Sequence, residues 1–380
     1  MYEAGVPGKH LMSFHPGAPR PRTNTKRQKS EYIMTIKRGV SLYSYQDEYV
    51  RGILDLEGCI AAAAAQGAFG IETLAEQMMP GYPFPGAPDL PDSFYEKWHD
   101  LMSQYGTTPT VHDMFLDTKR YTSRPLNHDE MVESLQRDIR HTAKLGAQGI
   151  RIIVNTPPEV VEAAAPYARD HGVWMGIEIH SPFSFDDEWI LRHLDVASRV
   201  GTDTVGCVPD LGIFVHRLPR VLVDRALRDG ADPQTAQVIA DTYNAHGDVT
   251  GLFTQLERKG TDPLTLGLAR NATFMISADP HCLVEHAEFI KHIHAKFYEM
   301  VPAEGSDFWH EYSIPYHLII PALIDAGYEG YLSSEYEGNR HIEDAHTVDS
   351  VSQVQEHQRM LAALLDTSTS APMGSRSLSD

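Results

Sequence analysis

The sequence predicts an α/β fold: a (β/α)8 TIM barrel with a long insertion between its sixth and seventh strands. Eight short apolar segments alternate with amphipathic stretches between residues 37 and 366, the pattern of a parallel sheet covered by helices. Eight strands are the number that closes such a barrel. No GxGxxG follows the first segment, which removes the dinucleotide-loop signal of the competing doubly wound sheet.

Taken in order, the strands are expected at 37–45, 69–74, 108–115, 149–154, 173–180, 204–210, 290–298 and 330–337. Helices are expected at 55–66, 93–105, 128–145, 157–171, 187–200, 313–326 and 349–366. The helix at 128–145 has the clearest signals. Asn127 or His128 can cap it, Asp129 and Glu130 sit in its first turn, and Gly146 follows its end. The first strand ends in Tyr43 and Tyr45, which alternation places on one face. Two connections are too long to be simple loops. Residues 75–92 follow the second strand, and 213–289, with helical patterns near 219–229 and 233–258, follow the sixth. Long segments after barrel strands wall the carboxyl face, where barrel chemistry sits. The aromatic, Met and Pro residues of 78–85 would suit a flat phenolic group, and they equally suit a plain rigid loop.

Residues 1–33 are basic and proline-interrupted, and read as a disordered arm or an upstream extension of a barrel spanning 34–366. Residues 367–380 are Ser/Thr-rich and read as a mobile tail. Across the 380 residues, 42% are hydrophobic and 22% charged, which excludes global disorder. The net charge of −20 argues against nucleic acid as a partner, including a metal-dependent endonuclease on this barrel. The sequence holds no run of 18 apolar residues, so no membrane span is expected. Three scattered cysteines point to a reducing interior and a cytoplasmic location.

The chemistry gathers at four strand ends. Glu178 and His180 share a face of the fifth strand, Asp210 ends the sixth, His292 and His294 share a face of the seventh, and Glu335 and Glu337 that of the eighth. Barrel interiors are normally apolar, so inward carboxylates need compensation. A divalent cation held by Glu178, Asp210, a histidine of the 292/294 pair and Glu335 supplies it. Oxygen-rich ligation with one imidazole suits Mn2+, with Mg2+, Zn2+, Co2+ or Fe2+ as alternatives.

The runs GIEIH, VPDLG, HIHAK and SSEYEG resemble the xylose-isomerase-like barrels of sugar isomerases and epimerases, over about residues 37–366. That resemblance implies one divalent metal on Glu178, Asp210, His294 and Glu335, the second histidine of the HxH being the ligand. The runs EIHSP (178–182), PDLGIF (209–214) and SSEYEG (333–338) are similar to the large subunits of bacterial C-glycoside deglycosidases. The likeness implies a lyase on 3-oxo-C-glycosides of phenolic aglycones that acts with a small β subunit in a hetero-oligomer. His180, two residues after Glu178 on the same face, is the expected base for the sugar C2 proton, its alternative role being a hydrogen bond to a ligand carboxylate. The alternatives are a metal-dependent sugar isomerase or epimerase and a non-catalytic binding protein. Epimerases carry an anion-binding Arg soon after the seventh-strand His, whereas Lys296 and Phe297 stand here. His112, His216, Tyr43 and Glu337 are further candidates for contact with substrate; Glu337 is also an alternative ligand.

Overall fold

The computed structural model describes residues 36–78, 89–116, 120–345 and 347–370. The expected basic arm at 1–33, most of the 78–85 loop and the last ten residues lie outside them.

Strands form at all eight expected places: β1 Lys37–Ser41, β2 Gly70–Leu74, β3 Thr108–Met114, β4 Gly149–Ile152, β5 Trp174–Ile179, β6 Val205–Pro209 and β7 Ile293–Phe297. A two-stranded antiparallel hairpin, β8 Met300–Pro302 with β9 Trp309–Glu311, follows β7, and β10 Tyr331–Tyr336 is the eighth barrel strand. The parallel order runs β6-β5-β4-β3-β2-β1-β10-β7. Parallel bridges from Cys207 to Ile290 and from Asp210 to His294 link β6 to β7 and close the ring.

Alternation decides which side chains face helices and which face the barrel axis. Val40, Ile71, Ile150, Ile152, Ile177, Ile179, Ile293 and Leu332 face outward and are almost fully buried under the helices. Each such aliphatic chain contributes about 1.5–3 kcal/mol of burial free energy. Among the covering helices, His128–Leu145 starts at Asn127 in a capping box with Glu130 and ends at Gly146, whose φ of 72° is the left-handed stop that glycine makes cheap.

Four expectations need correction. The first strand ends at Ser41, and Leu42–Tyr45 is a single 3-10 turn. Tyr43 and Tyr45 therefore do not share a face. Tyr45 is wholly buried with its hydroxyl on Gln66 at 2.9 Å, while the Tyr43 hydroxyl donates to Glu337 at 2.8 Å. The helical pattern at 233–258 is two helices, Pro233–Asn244 and Val249–Arg258, separated around Gly247, and a further helix, Pro263–Phe274, follows. Asp232, Asp248 and Asp262 cap these three through their carboxylates, a local signal that competes with a continuous helix. The last helix, Ser350–Ser370, runs four residues past the predicted end at 366. The β8–β9 hairpin was not anticipated; its strands have three residues each, too few for a readable alternation.

Glu311 anchors that hairpin. Its carboxylate accepts from the backbone N–H of Tyr298 at 3.1 Å and from that of Ile314. Burial pushes its pKa up to about 8. An unfolded glutamate titrates near about 4.3, so between those values the folded chain holds a proton that the unfolded chain has lost. This group's contribution to stability is thus greatest at the acid end and falls as pH rises through the window. Glu311→Gln is expected to flatten the pH dependence of Tm between roughly pH 5 and 8; an unaltered profile would show that Glu311 is ionised throughout.

Candidate metal centre

The axis of the barrel is not apolar. Five carboxylates, Glu72, Asp113, Glu178, Asp210 and Glu335, are buried there with His292 and His294. Strand register explains the gathering. Asp113 on β3 is level with Arg151 on β4, Ser333 on β10 with His294 on β7, and Glu335 with Lys296. Level residues on neighbouring strands point to the same side of the sheet.

His294 is at the centre. Its Nδ1 lies 3.0 Å from Glu178 Oε1 and 3.5 Å from Glu335 Oε2. A single ring N–H serves one acceptor, and Glu335 Oε2 is buried without a hydrogen bond. Ligand atoms of Glu178, His294 and Glu335 all lie within 4.8 Å of one another, so this buried group can hold a metal ion. The donor set, two carboxylates and an imidazole, fits a hard or borderline divalent ion.

The fourth expected ligand, Asp210, stands apart from that trio. Its Oδ1 accepts from the Gly212 N–H at 2.7 Å, and its Oδ2 is 2.6 Å from Lys296 Nζ. Lys296 also lies 3.6 Å from Glu335 and 3.7 Å from Glu337. Burial works against its charge, but these three acids raise its pKa well above the ordinary lysine value.

The compensation expected from a divalent cation is thus shared with protein cations. Arg151 is buried and Lys296 half-buried, both cations facing the same interior. Arg151 pairs with Asp113 at 3.0 Å and approaches Glu178 at 3.7 Å. Still, five carboxylates face two permanent cations and His294, whose pKa the surrounding acids raise well above the ordinary histidine value although burial works against its charge, so the acids outnumber the cations by two. The strain appears in the acids themselves. Burial alone would raise Glu178, yet Arg151 and His294 hold it below the usual carboxylate range. Burial pushes Glu335 up to about 7, because Lys296 and His294 offset only part of that cost.

His180 follows β5 directly and is half-buried. Its Nδ1–H donates to the Ser181 carbonyl at 2.7 Å, which leaves Nε2 as the nitrogen with the lone pair. Among the described residues Nε2 has no hydrogen-bond partner. Glu337 lies just past β10 at the rim, held by Tyr43, with Arg340 Nε 3.6 Å away.

Two of the expected contact residues are elsewhere. His112 is wholly buried; its Nδ1 is 2.8 Å from Thr73 Oγ1 and its ring packs edge-on to His141. The physical reason is alternation: Asp113 faces the axis, so its neighbour His112 must face the helices. His216 lines a separate outer cleft of about 240 Å³ with Arg217, His310 and Tyr312. Sequence reasoning missed Glu72, Asp113, Arg151 and Lys296 as site residues. Glu72 and Arg151 carried a signal, the single charged residue of the short strands GIETL and GIRI.

The family description xylose isomerase-like TIM barrel matches residues 60–364. The chain belongs to that family. Within it, the chain is 30% identical over 318 residues to a C-glycoside deglycosidase alpha subunit of Microbacterium trichothecenolyticum, covering 79% of this chain and 83% of the relative. It is 29% identical to a 3'-dehydrocarminate deglycosidase alpha subunit of a Microbacterium species, covering 79% of this chain and 88% of the relative. The resemblance to this group read from the EIHSP, PDLGIF and SSEYEG runs is thereby borne out. Among solved structures, D-psicose 3-epimerase with D-fructose matches with a TM-score of 0.51 at 12% identity, over 87% of this chain and 99% of that one; this likeness bears on the fold alone. Among the described residues, no helix is long and apolar enough to cross a membrane.

Proposed function

We propose that this chain is the catalytic large subunit of a C-glycoside deglycosidase. In this reading it is a divalent-metal-dependent carbon–carbon lyase that acts on 3-oxo-C-glycosides of phenolic aglycones together with a small second subunit. The observation that carries the reading is the convergence of Glu178 and Glu335 on one nitrogen of His294, in a chain whose relatives bear that name.

A C–C bond to an aryl ring resists ordinary glycoside hydrolysis, because the leaving carbon offers no oxygen lone pair to protonate. A carbonyl at sugar C3 makes the C2 proton acidic. His180 Nε2 takes that proton, and the electron pair left on C2 is delocalised onto the C3 oxygen. The C3 carbonyl re-forms as the C1–aryl bond breaks, leaving a C1=C2 double bond. The departing aryl carbon takes up a proton, giving the free aglycone. An ion held by Glu178, Asp210, His294 and Glu335, Mn2+ in this reading, supplies Lewis-acid stabilisation of the negative charge on the sugar oxygens. Lys296 keeps Asp210 and Glu335 oriented, and Arg151 braces Glu178.

The test is incubation of the purified chain and its co-expressed small subunit with a 3-oxo-C-glucoside. Free aglycone together with an unsaturated 3-oxo sugar is expected, with about one divalent ion per chain. An epimerised sugar with the C–aryl bond intact would replace this reading with that of an epimerase.

A further inference from the structure

Glu72 plays no part in the reaction just described, yet it touches both imidazoles of the HIH run. It sits on β2, wholly buried. Its Oε2 accepts from His292 Nε2 at 2.6 Å, and its Oε1 lies 3.0 Å from His294 Nε2. His292 Nε2 is also 2.9 Å from Ser333 Oγ. Among the described residues, no lysine or arginine pairs with Glu72, so the two imidazoles are its only partners of opposite polarity.

His294 is thus placed between two sets of carboxylates. Nδ1 faces Glu178 and Glu335, and Nε2 faces Glu72. A neutral imidazole offers a lone pair at one nitrogen only when its proton sits on the other. In the structure the Nδ1–H donates to Glu178 Oε1 at 3.0 Å, while Nε2 and Glu72 Oε1, 3.0 Å apart, are not aligned for a hydrogen bond. An ion taken at Nδ1 needs the ring proton on Nε2 instead, and a fixed carboxylate beside Nε2 favours that tautomer. His292 grips the second oxygen of Glu72, so the carboxylate cannot turn away.

We infer that Glu72 is a positioning residue of the metal centre: it fixes the tautomer and orientation of His294 so that Nδ1 faces the ion. The inference rests on the proposal that Glu178, Asp210, His294 and Glu335 hold that ion. Glu72, His292 and His294 could themselves be read as a second ion site, since their ligand atoms also lie within 4.8 Å of one another. Two ions sharing His294 would need lone pairs on both of its nitrogens, an imidazolate bridge formed by loss of the second ring proton. One ion with Glu72 behind it needs no such deprotonation.

The experiment is titration of the metal-free full-length chain with Mn2+ in the absence of substrate, following free Mn2+ by electron paramagnetic resonance. Wild type is expected to bind one ion, and Glu72→Gln to bind it about 10–100-fold more weakly. Unchanged affinity in the folded variant overturns the inference while leaving the Glu178–His294–Glu335 site standing. Two ions in wild type, one of them lost in Glu72→Gln, overturn it by making Glu72 a ligand. No bound ion in wild type removes the site itself, and the inference with it. Should Glu72→Gln fail to fold, 15N NMR of histidines in the Zn2+-loaded wild type decides. A His294 protonated at Nε2 supports the inference, and one protonated at Nδ1 overturns it.

Discussion

Replacing Glu178 with Gln is expected to abolish metal binding and turnover together. Glu178 Oε1 is 3.0 Å from His294 Nδ1, and its other oxygen is 3.7 Å from Arg151. The amide keeps the shape but removes the charge that draws a cation. Loss of a partner behind a ligand typically costs about 10–100-fold in affinity, so loss of a ligand should cost at least about 100-fold. Arg151 keeps its 3.0 Å pair with Asp113, so the barrel should still fold. The measurements are metal content after dialysis, turnover of a 3-oxo-C-glucoside and the thermal melt. A folded variant that retains its metal and works at the wild-type rate would remove Glu178 from the centre.

Replacing His180 with Ala is expected to separate the two properties. The metal stays, because His180 is outside the Glu178–His294–Glu335 group. Turnover falls by about 10²–10⁴-fold, the usual range for a missing general base. The fall should appear in kcat more than in KM, and the limb of the pH–rate profile that reports the base should vanish. The geometry motivates this. The Nδ1–H is tied to the Ser181 carbonyl at 2.7 Å, which fixes Nε2 as the basic nitrogen. Loss of metal together with activity would instead make His180 a ligand, and full activity would pass the base role to another group.

The sequence carried the barrel. Period-two alternation in apolar segments such as WMGIEI and YLSSEY is a local property, so strand number, strand order and the inward direction of Glu178, His294 and Glu335 could be read from it. The same alternation held the answer for His112, because its neighbour Asp113 is also a polar chemical group and only one of the two can face the axis. Short elements escaped. The turn at Leu42–Tyr45 follows a strand with no break in apolar character, and that hid the separation of Tyr43 from Tyr45.

What the sequence determined by itself is the inward direction of the strand-end groups Glu178, His294 and Glu335, since strand periodicity needs only neighbours along the chain. What the tertiary structure decided is their pairing. Glu72 meets His294 across 222 positions, and Lys296 meets Asp210 across 86. Such contacts arise only when the ring closes between β6 and β7. Coulomb energies fall with distance in space and rise as water is excluded, and neither quantity is written in residue order.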